Sequence, residues 1–287
     1  MIKQQSAQAA VCADFVRGYM KRFDYNNKVA IVTGASSGIG REISTILVKK
    51  YGCTVYGIAR DLRKLDVVRE ELGGEKFLTC SMDVTSREGW EKLDVYFSSI
   101  KTPVDILINC AGVLPEFASV DNTDIDKFKS VMDINFMSCV YSCKSIMKHL
   151  SPQGCVVNIS SAAALCPFVG ISAYSASKAA LERFTECLSC ERQDIRASIV
   201  MPGFVKTDIM KGHGINEKEK GIINFFSADV TKTANKILRR VRKRKRRIIV
   251  GFDAHIMSFT YRLFPHLAPK MLTKIIKGSK LELFNKV

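Results

Sequence analysis

Tyr174 and Lys178 lie four residues apart in AYSASKAAL (173–181), and Ser161 precedes the tyrosine by thirteen residues. A free tyrosine titrates near 10, so alone it is a poor acid or base at neutral pH. A nearby ammonium group favours its phenolate. Apolar residues through 173–181 predict a helix, and residues four apart on a helix share a face. Lys178 is then expected one turn below Tyr174, where it can tune the phenol. Ser161 follows the strand-like run CVVNIS (155–160) and is expected to hydrogen-bond an oxygen held against the tyrosine. Such a trio would give a proton to a carbonyl oxygen or take one from an alcohol. A Tyr-Lys pair at this spacing is by itself a common accident of helix faces, so the reading leans on the elements around it.

The first such element is KVAIVTG (28–34), a short apolar run rich in β-branched residues that reads as a buried parallel strand. Gly34, Gly38 and Gly40 follow, and then REISTILVKKY (41–51) with Ile43, Ile46 and Leu47 at helical spacing. Glycines let the backbone turn tightly and approach a phosphate, and a helix N-terminus adds free N–H groups and a positive dipole end. The spacing G-x-x-x-G-x-G differs from the commonest dinucleotide fingerprint, but its strand–turn–helix context is the one such a motif needs. The next strand pattern, TVYGIA (54–59), ends at Ala59 and is followed by Arg60. An acid at that strand end would hold the ribose 2′-hydroxyl of NAD, whereas arginine suits a 2′-phosphate. NADPH is therefore the expected cofactor, with Asp61 next in line as a counter-signal.

Strand patterns recur at KFLTCSMDV, VDILINC, CVVNIS, RASIVMP and RRIIVG, alternating with helical ones. That alternation predicts one α/β domain with a parallel sheet and helices on both faces. A chain of 287 residues can bury such a core.

From about residue 27 to about 252 the chain resembles the short-chain dehydrogenase/reductase family. The resemblance implies a single Rossmann-type doubly wound parallel sheet of about seven strands. TGASSGIG (33–40) is similar to the family's cofactor turn, which implies contacts from Gly34, Ser36, Ser37, Gly38, Ile39 and Gly40. Asp83, with Val84, matches the family's adenine-side acid segment in MDVT (82–85). NCAG (109–112) is similar to the family's N-N-A-G with Cys110 in place of one Asn, leaving Asn109, Ala111 and Gly112 on the cofactor side. Asn135 in DINFMS (133–138) matches the asparagine that supports a proton relay to the lysine. With Ser161, Tyr174 and Lys178 it completes the family's catalytic set, and Tyr174 and Lys178 are also expected against the cofactor, the lysine holding its ribose. MPGFVKTD (201–208) implies Pro202, Gly203, Val205 and Thr207 at the nicotinamide amide. The family's second basic signal for NADP falls at Ser37, so Arg60 stands alone.

The activity so implied is an NADP(H)-dependent carbonyl reductase, reversible as an alcohol dehydrogenase. Its substrate would be a hydrophobic ketone or secondary alcohol such as a steroid, as in hydroxysteroid-dehydrogenase-like members with C-terminal extensions. Two rivals stay open: a 3-oxoacyl reductase docking an acidic carrier protein, and a non-catalytic NADPH-binding protein. Family members commonly pair through the helices carrying Asn135 and Tyr174. The resemblance thus allows a homodimer or homotetramer but leaves the oligomeric state open, since the tail could extend or block that pairing. Residues 209–228, with Ile222, Ile223, Phe225 and Phe226, are expected to form a lid over an apolar substrate.

The net charge of +16 is unevenly spread. Residues 230–287 hold 16 Lys/Arg and 2 acids, whereas 1–229 hold 28 and 26, so the enzyme-like body is nearly neutral. In RRVRKRKRR (239–247) only Val241 is uncharged. HIMSFTYRLFPHLAPKMLTKII (255–276) then mixes large apolar residues with Arg262, Lys270 and Lys274. Its prolines and charges argue against a spanning helix, and residues 239–276 are expected either at a membrane surface or as a cap on the substrate pocket. Nucleic acid ranks third, because no base-reading motif accompanies the basic run.

The ten cysteines are scattered through predicted elements, which suits buried reduced thiols in a cytoplasmic protein. Cys187/Cys190 and Cys139/Cys143 are expected to pack in the core, and no metal site is expected from them or from His149, His213, His255 and His266. Residues 1–26 lack the apolar core of a signal peptide; Val11, Phe15, Met20 and Phe23 suggest a helix packed on the body or on a partner. The organisation expected is thus an extension (1–26), a dinucleotide-binding domain (27–252) and a basic, apolar-rich tail (253–287).

Overall fold

The computed structural model describes residues 22–207, 209 and 227–278. Seven strands form one sheet: β1 (Val29–Thr33), β2 (Thr54–Ala59), β3 (Phe77–Ser81), β4 (Val104–Asn109), β5 (Leu150–Ile159), β6 (Arg196–Pro202) and β7 (Arg247–Val250). Their order is β3-β2-β1-β4-β5-β6-β7 and every pairing is parallel. All the strand patterns read from the sequence are present, in a doubly wound sheet. The chain starts mid-sheet at β1, builds outward to β3, and crosses back to β4 on the other side. That reversal opens a crevice between the C-terminal ends of β1 and β4, where open α/β sheets hold ligands.

Strand side chains alternate between two cores. Ala30, Val32, Ile106, Ile108, Val157 and Val200 face α1 (Gly38–Tyr51), α2 (Leu62–Glu71) and α7 (Val230–Arg242). Ile31, Leu107, Val156 and Ala197 face α3 (Arg87–Ile100), α5 (Ser138–Ile146) and α6 (Ser172–Glu191), where Trp90, Phe97 and Leu188 meet them. Ile43 and Leu47 are fully buried on α1. Each stabilises the fold by about 1.5–3 kcal/mol. Strands buried on both faces explain why these segments read as continuous apolar runs.

Residues 22–26, the described end of the N-terminal extension, are not helical. Phe23 and Tyr25 are nevertheless buried, and the Tyr25 hydroxyl donates to the Leu238 carbonyl on α7 at 2.9 Å. Val11, Phe15 and Met20 lie outside the described residues.

The tail separates two features that the sequence placed side by side. The basic run ends α7 and enters β7 at its N-terminal end, the opposite end of the sheet from the crevice. Part of it is structurally engaged: Arg247 pairs with Glu182 at 2.8 Å, and Arg244 covers the Phe23 ring and donates to Gln153. The apolar segment instead leaves the C-terminal end of β7 as α8 (Phe252–Leu263) and α9 (Leu267–Gly278), jointed at Phe264–His266. No helix among the described residues is long and apolar enough to cross a membrane.

The expectation that all four spaced cysteines are core residues needs correcting. Cys139 and Cys143 are buried, but Cys187 and Cys190 are exposed. On α6 the inward stripe runs through Leu181, Thr185, Leu188 and Ser189, which turns 187 and 190 to solvent.

Candidate active site

A cleft of about 1230 Å³ opens at the crevice. Its floor is the turn between β1 and α1. Gly34 and Gly38 have φ of +68° and +53°, a backbone that side chains resist. A Cβ at Gly40 would collide with the Gly34 carbonyl, so helix and strand approach as closely as backbone allows. Ser37 caps α1 without a side-chain hydrogen bond, and the first turn holds no acid. The leading N–H groups of α1 therefore face the cleft with their positive dipole end unopposed. Beneath them the Thr33 hydroxyl accepts from the backbone N–H of both Cys110 and Ala111 at 3.0 Å, tying the β4 exit to the β1 exit.

The catalytic candidates come from β5, α6 and the helix before β5. Tyr174 (8 % exposed) and Lys178 (4 %) lie on the cleft side of α6, with the Lys178 ammonium 5.7 Å from the Tyr174 ring centre. Lys178 Nζ donates to the Ile159 carbonyl at the end of β5 at 3.0 Å. Ser160 Oγ donates to the Lys178 carbonyl at 2.9 Å, so β5 and α6 are stapled twice at this level. Ser161 lines the same cleft, and its Oγ accepts from Ala163 N at 3.2 Å. A hydroxyl that accepts in this way keeps its own proton for donation.

Asn135 sits in a π-helical turn (Asp133–Met137) between α4 (Ile125–Met132) and α5. It is fully buried behind the cleft wall. Its Oδ1 accepts from Val113 N at 2.8 Å, and its Nδ2 donates to the Val113 carbonyl at 2.9 Å and to Ser177 Oγ at 3.1 Å. Ser177 in turn donates to the Tyr174 carbonyl at 2.7 Å. A Cβ at Gly112 would come within 3.1 Å of Asn135 Oδ1 and 3.3 Å of Lys178 Nζ. The asparagine amide and the lysine ammonium thus flank one glycine, and a methyl group there would crowd both.

Ser36, Ser37, Ile39, Arg60, Ala111, Pro202, Gly203, Val205 and Thr207 also line the cleft. Asp83 lies to one side, in a shallower hollow shared with Arg60. Its carboxylate accepts from Thr85 N and Oγ1 at 2.8 Å, and these bonds hold it below the usual carboxylate range. Val84 is buried against α3, its carbonyl receiving the Trp90 indole N–H at 2.8 Å.

Asn109 is placed differently from the other residues of its motif. It points to the α5–α6 side of the sheet, donating to Asn158 at 2.8 Å and accepting from Ser142 at 2.7 Å, while Asn158 donates to Thr185. This string is buried under the site and does not line the cleft. Cys110 does line it, with burial pushing its thiol up to about 12.

Sequence reasoning missed the substrate-side wall. Val113, Leu114, Phe117, Phe128, Phe168 and Phe204 make it apolar, and Met257 reaches in from α8. The turn at Gly203–Phe204 is held by the tail: Asp253 Oδ2 accepts from Phe204 N at 2.7 Å, and Gly203 has no room for a side chain against that carboxylate. Among residues 209–228, only Ile209, Ser227 and Ala228 belong to the described structure, so the expected lid and His213 lie outside it.

The donor set suits a nicotinamide dinucleotide. The glycine cradle leaves room where any side chain would intrude, and the α1 N-terminus is uncapped by acid.

Comparisons with known proteins agree with this geometry. A family model described as short chain dehydrogenase matches residues 28–220. Glycine betaine reductase ATRR of Emericella nidulans is 36% identical over 68% of this chain but only 17% of that protein. 11-beta-hydroxysteroid dehydrogenase-like 2 of Arabidopsis thaliana is 37% identical over 66% of this chain and 64% of that protein. The chain thus spans less than two thirds of the length of either of these relatives. The crystal structure of a short-chain dehydrogenase from Streptomyces avermitilis is similar over 89% of this chain and all of that one, with 27% identity and a TM-score of 0.73.

Proposed function

Because this chain belongs to the short-chain dehydrogenase family, we propose that its cleft is the active site of an NADP(H)-dependent oxidoreductase interconverting a hydrophobic ketone and its secondary alcohol. The observation that carries this reading is the convergence of Tyr174, Lys178 and Ser161 on one wall of the cleft whose floor is the glycine turn. Bound NADP(H) would supply or accept the hydride. The protein's own part is position and proton transfer. In reduction the Tyr174 hydroxyl gives its proton to the carbonyl oxygen, and the nearby Lys178 ammonium stabilises the phenolate left behind. Ser161 donates to the same oxygen and steadies it. Asn135 holds the 112–113 backbone beside Lys178 and braces α6 through Ser177.

The preference for NADP(H) is supported by the charges at the adenosine end. Arg60 lines the cleft there with Lys64 and Arg41. Lys64 is 3.7 Å from Asp61 and Arg41 is paired with Glu71 at 2.6 Å, so the preference rests on Arg60. The neighbouring Asp61, the acid that follows Arg60 at the end of β2, is engaged as the cap of α2. It accepts from Lys64 N at 3.2 Å, and that bond holds its carboxyl below the usual range. The apolar wall, together with the relative named for 11-beta-hydroxysteroids, favours a ring-system substrate such as a steroid.

Two measurements test this. NADPH consumption against a panel of steroid, aliphatic and acyl-thioester ketones should show turnover that Tyr174→Phe abolishes; turnover surviving in that variant would refute the proton donor. Dissociation constants should favour NADPH over NADH, and equal or tighter NADH binding would refute the cofactor assignment.

A further inference from the structure

α8 carries an exposed apolar stripe of Phe252, Ile256, Phe259 and Leu263, with spacings of four, three and four that keep it on one face. Phe252 is 82% exposed and Phe259 65%. The stripe continues through Phe264 and Leu267 at the joint to Met271 on α9. Large apolar side chains gathered in this way mark an interaction surface, unlike single apolar residues scattered over a body.

The charges around the stripe select its partner. Arg262, Lys270 and Lys274 are exposed among these residues. From 254 to 281 the sequence holds five Lys/Arg and neither Asp nor Glu. The nearest acid, Asp253, is turned into the body to hold Phe204. Two copies of such a face would set cation against cation, which disfavours self-association through it. Apolar groups ringed by cations match a bilayer with anionic headgroups, where the apolar groups enter the acyl boundary and the cations stay at phosphate level.

We propose that the α8–α9 face docks on an anionic phospholipid membrane, independently of the reaction in the cleft. The surface is narrower than the basic, apolar-rich region of the sequence, because the run 239–247 enters β7 at the far end of the sheet and takes no part. Met257, on the same helix, forms part of the cleft wall, so docking brings the cleft mouth to the lipid.

The test is flotation of the full chain with vesicles of phosphatidylcholine, with and without phosphatidylglycerol. The wild type should float with phosphatidylglycerol vesicles and less so with rising salt. Phe259→Asp with Leu263→Asp should lower partitioning on the order of a hundredfold, since two exposed apolar side chains no longer enter the membrane. Arg262→Gln, Lys270→Gln and Lys274→Gln should each lower it about fivefold, and only on anionic vesicles. Arg239→Gln with Arg240→Gln should leave it unchanged. Unaltered thermal melting and NADPH binding will show that the variants are folded. The proposal is overturned if the wild type floats with neither vesicle or if the aspartate pair floats like the wild type. It is equally overturned if the arginine pair 239/240 carries the binding. A dimer that the aspartate pair dissociates, with no flotation by the wild type, would assign the face to a second copy instead.

Discussion

Replacing Asn135 by alanine removes three hydrogen bonds at one fully buried point. Two of them satisfy both backbone groups of Val113, whose N–H and C=O are left without that amide at the same time. An unsatisfied buried backbone group costs about 1–3 kcal/mol. Val113 is only half-buried, and water admitted to the vacated space recovers part of that cost. The expected destabilisation is therefore about 2–4 kcal/mol. Urea unfolding followed by Trp90 fluorescence would measure it as a lowered midpoint at constant slope. Because the same amide holds the 112–113 backbone beside Lys178, NADPH affinity should fall together with stability. Asn135→Asp is a useful companion. It can keep the bond from Val113 N but sets an acceptor against the Val113 carbonyl, so it should be no more stable than the alanine variant. A loss below about 0.5 kcal/mol for alanine, with NADPH affinity intact, would refute the claim that this amide organises the site.

Arg60→Ala should weaken NADPH about 10- to 100-fold while barely changing NADH, the expected loss of a charge-assisted contact to a 2′-phosphate; fluorescence titration of both cofactors would measure it. Gly40→Ala should abolish cofactor binding, because its methyl group would meet the Gly34 carbonyl, and calorimetric titration would register the loss. Asp94 is held below the usual carboxylate range by its bond to Lys148 at 2.8 Å and then by His149. A carboxylate with a depressed folded value adds stability above its unfolded pKa, near 3.9, and loses it as pH falls through the folded value. Asp94→Asn should therefore lower Tm at pH 7, with the gap to wild type closing as the pH falls below about 4.

The parts legible in the sequence were those set by local pattern. The glycine turn could be read because strand, turn and helix follow each other without interruption in residues 28–51. Tyr174 and Lys178 could be read because the helical repeat fixes their relation. Contacts that depend on lateral register could not. Asn109 and Asn158 are register partners on β4 and β5, so the asparagine expected on the cofactor side instead joins a buried interior string. The π-helical turn around Asn135 has no sequence period to announce it, and Ser160 and Ser177 look like ordinary polar filler until the staples they form are seen. The exposure of Cys187 and Cys190 turned on helical phase, which a spacing of three alone does not set. In the tail, one short strand decided the outcome, because β7 carries the chain from one end of the sheet to the other between the basic run and the apolar helices.

The Asp253 clasp gives this fold a direction in time. The carboxylate that fastens Phe204 comes from 49 residues further along the chain. A nascent chain extends at about 5–20 residues per second, so several seconds separate the synthesis of the turn from that of its fastener. Over that interval β1 to β6 and the Tyr174 helix can already associate, whereas the Gly203–Phe204 segment has neither Asp253 nor the Val250 carbonyl that receives Gly203 N at 2.8 Å. Maturation of the cleft therefore waits on two late residues, and a ribosome stalled before them would display a nearly finished sheet with an unfinished site.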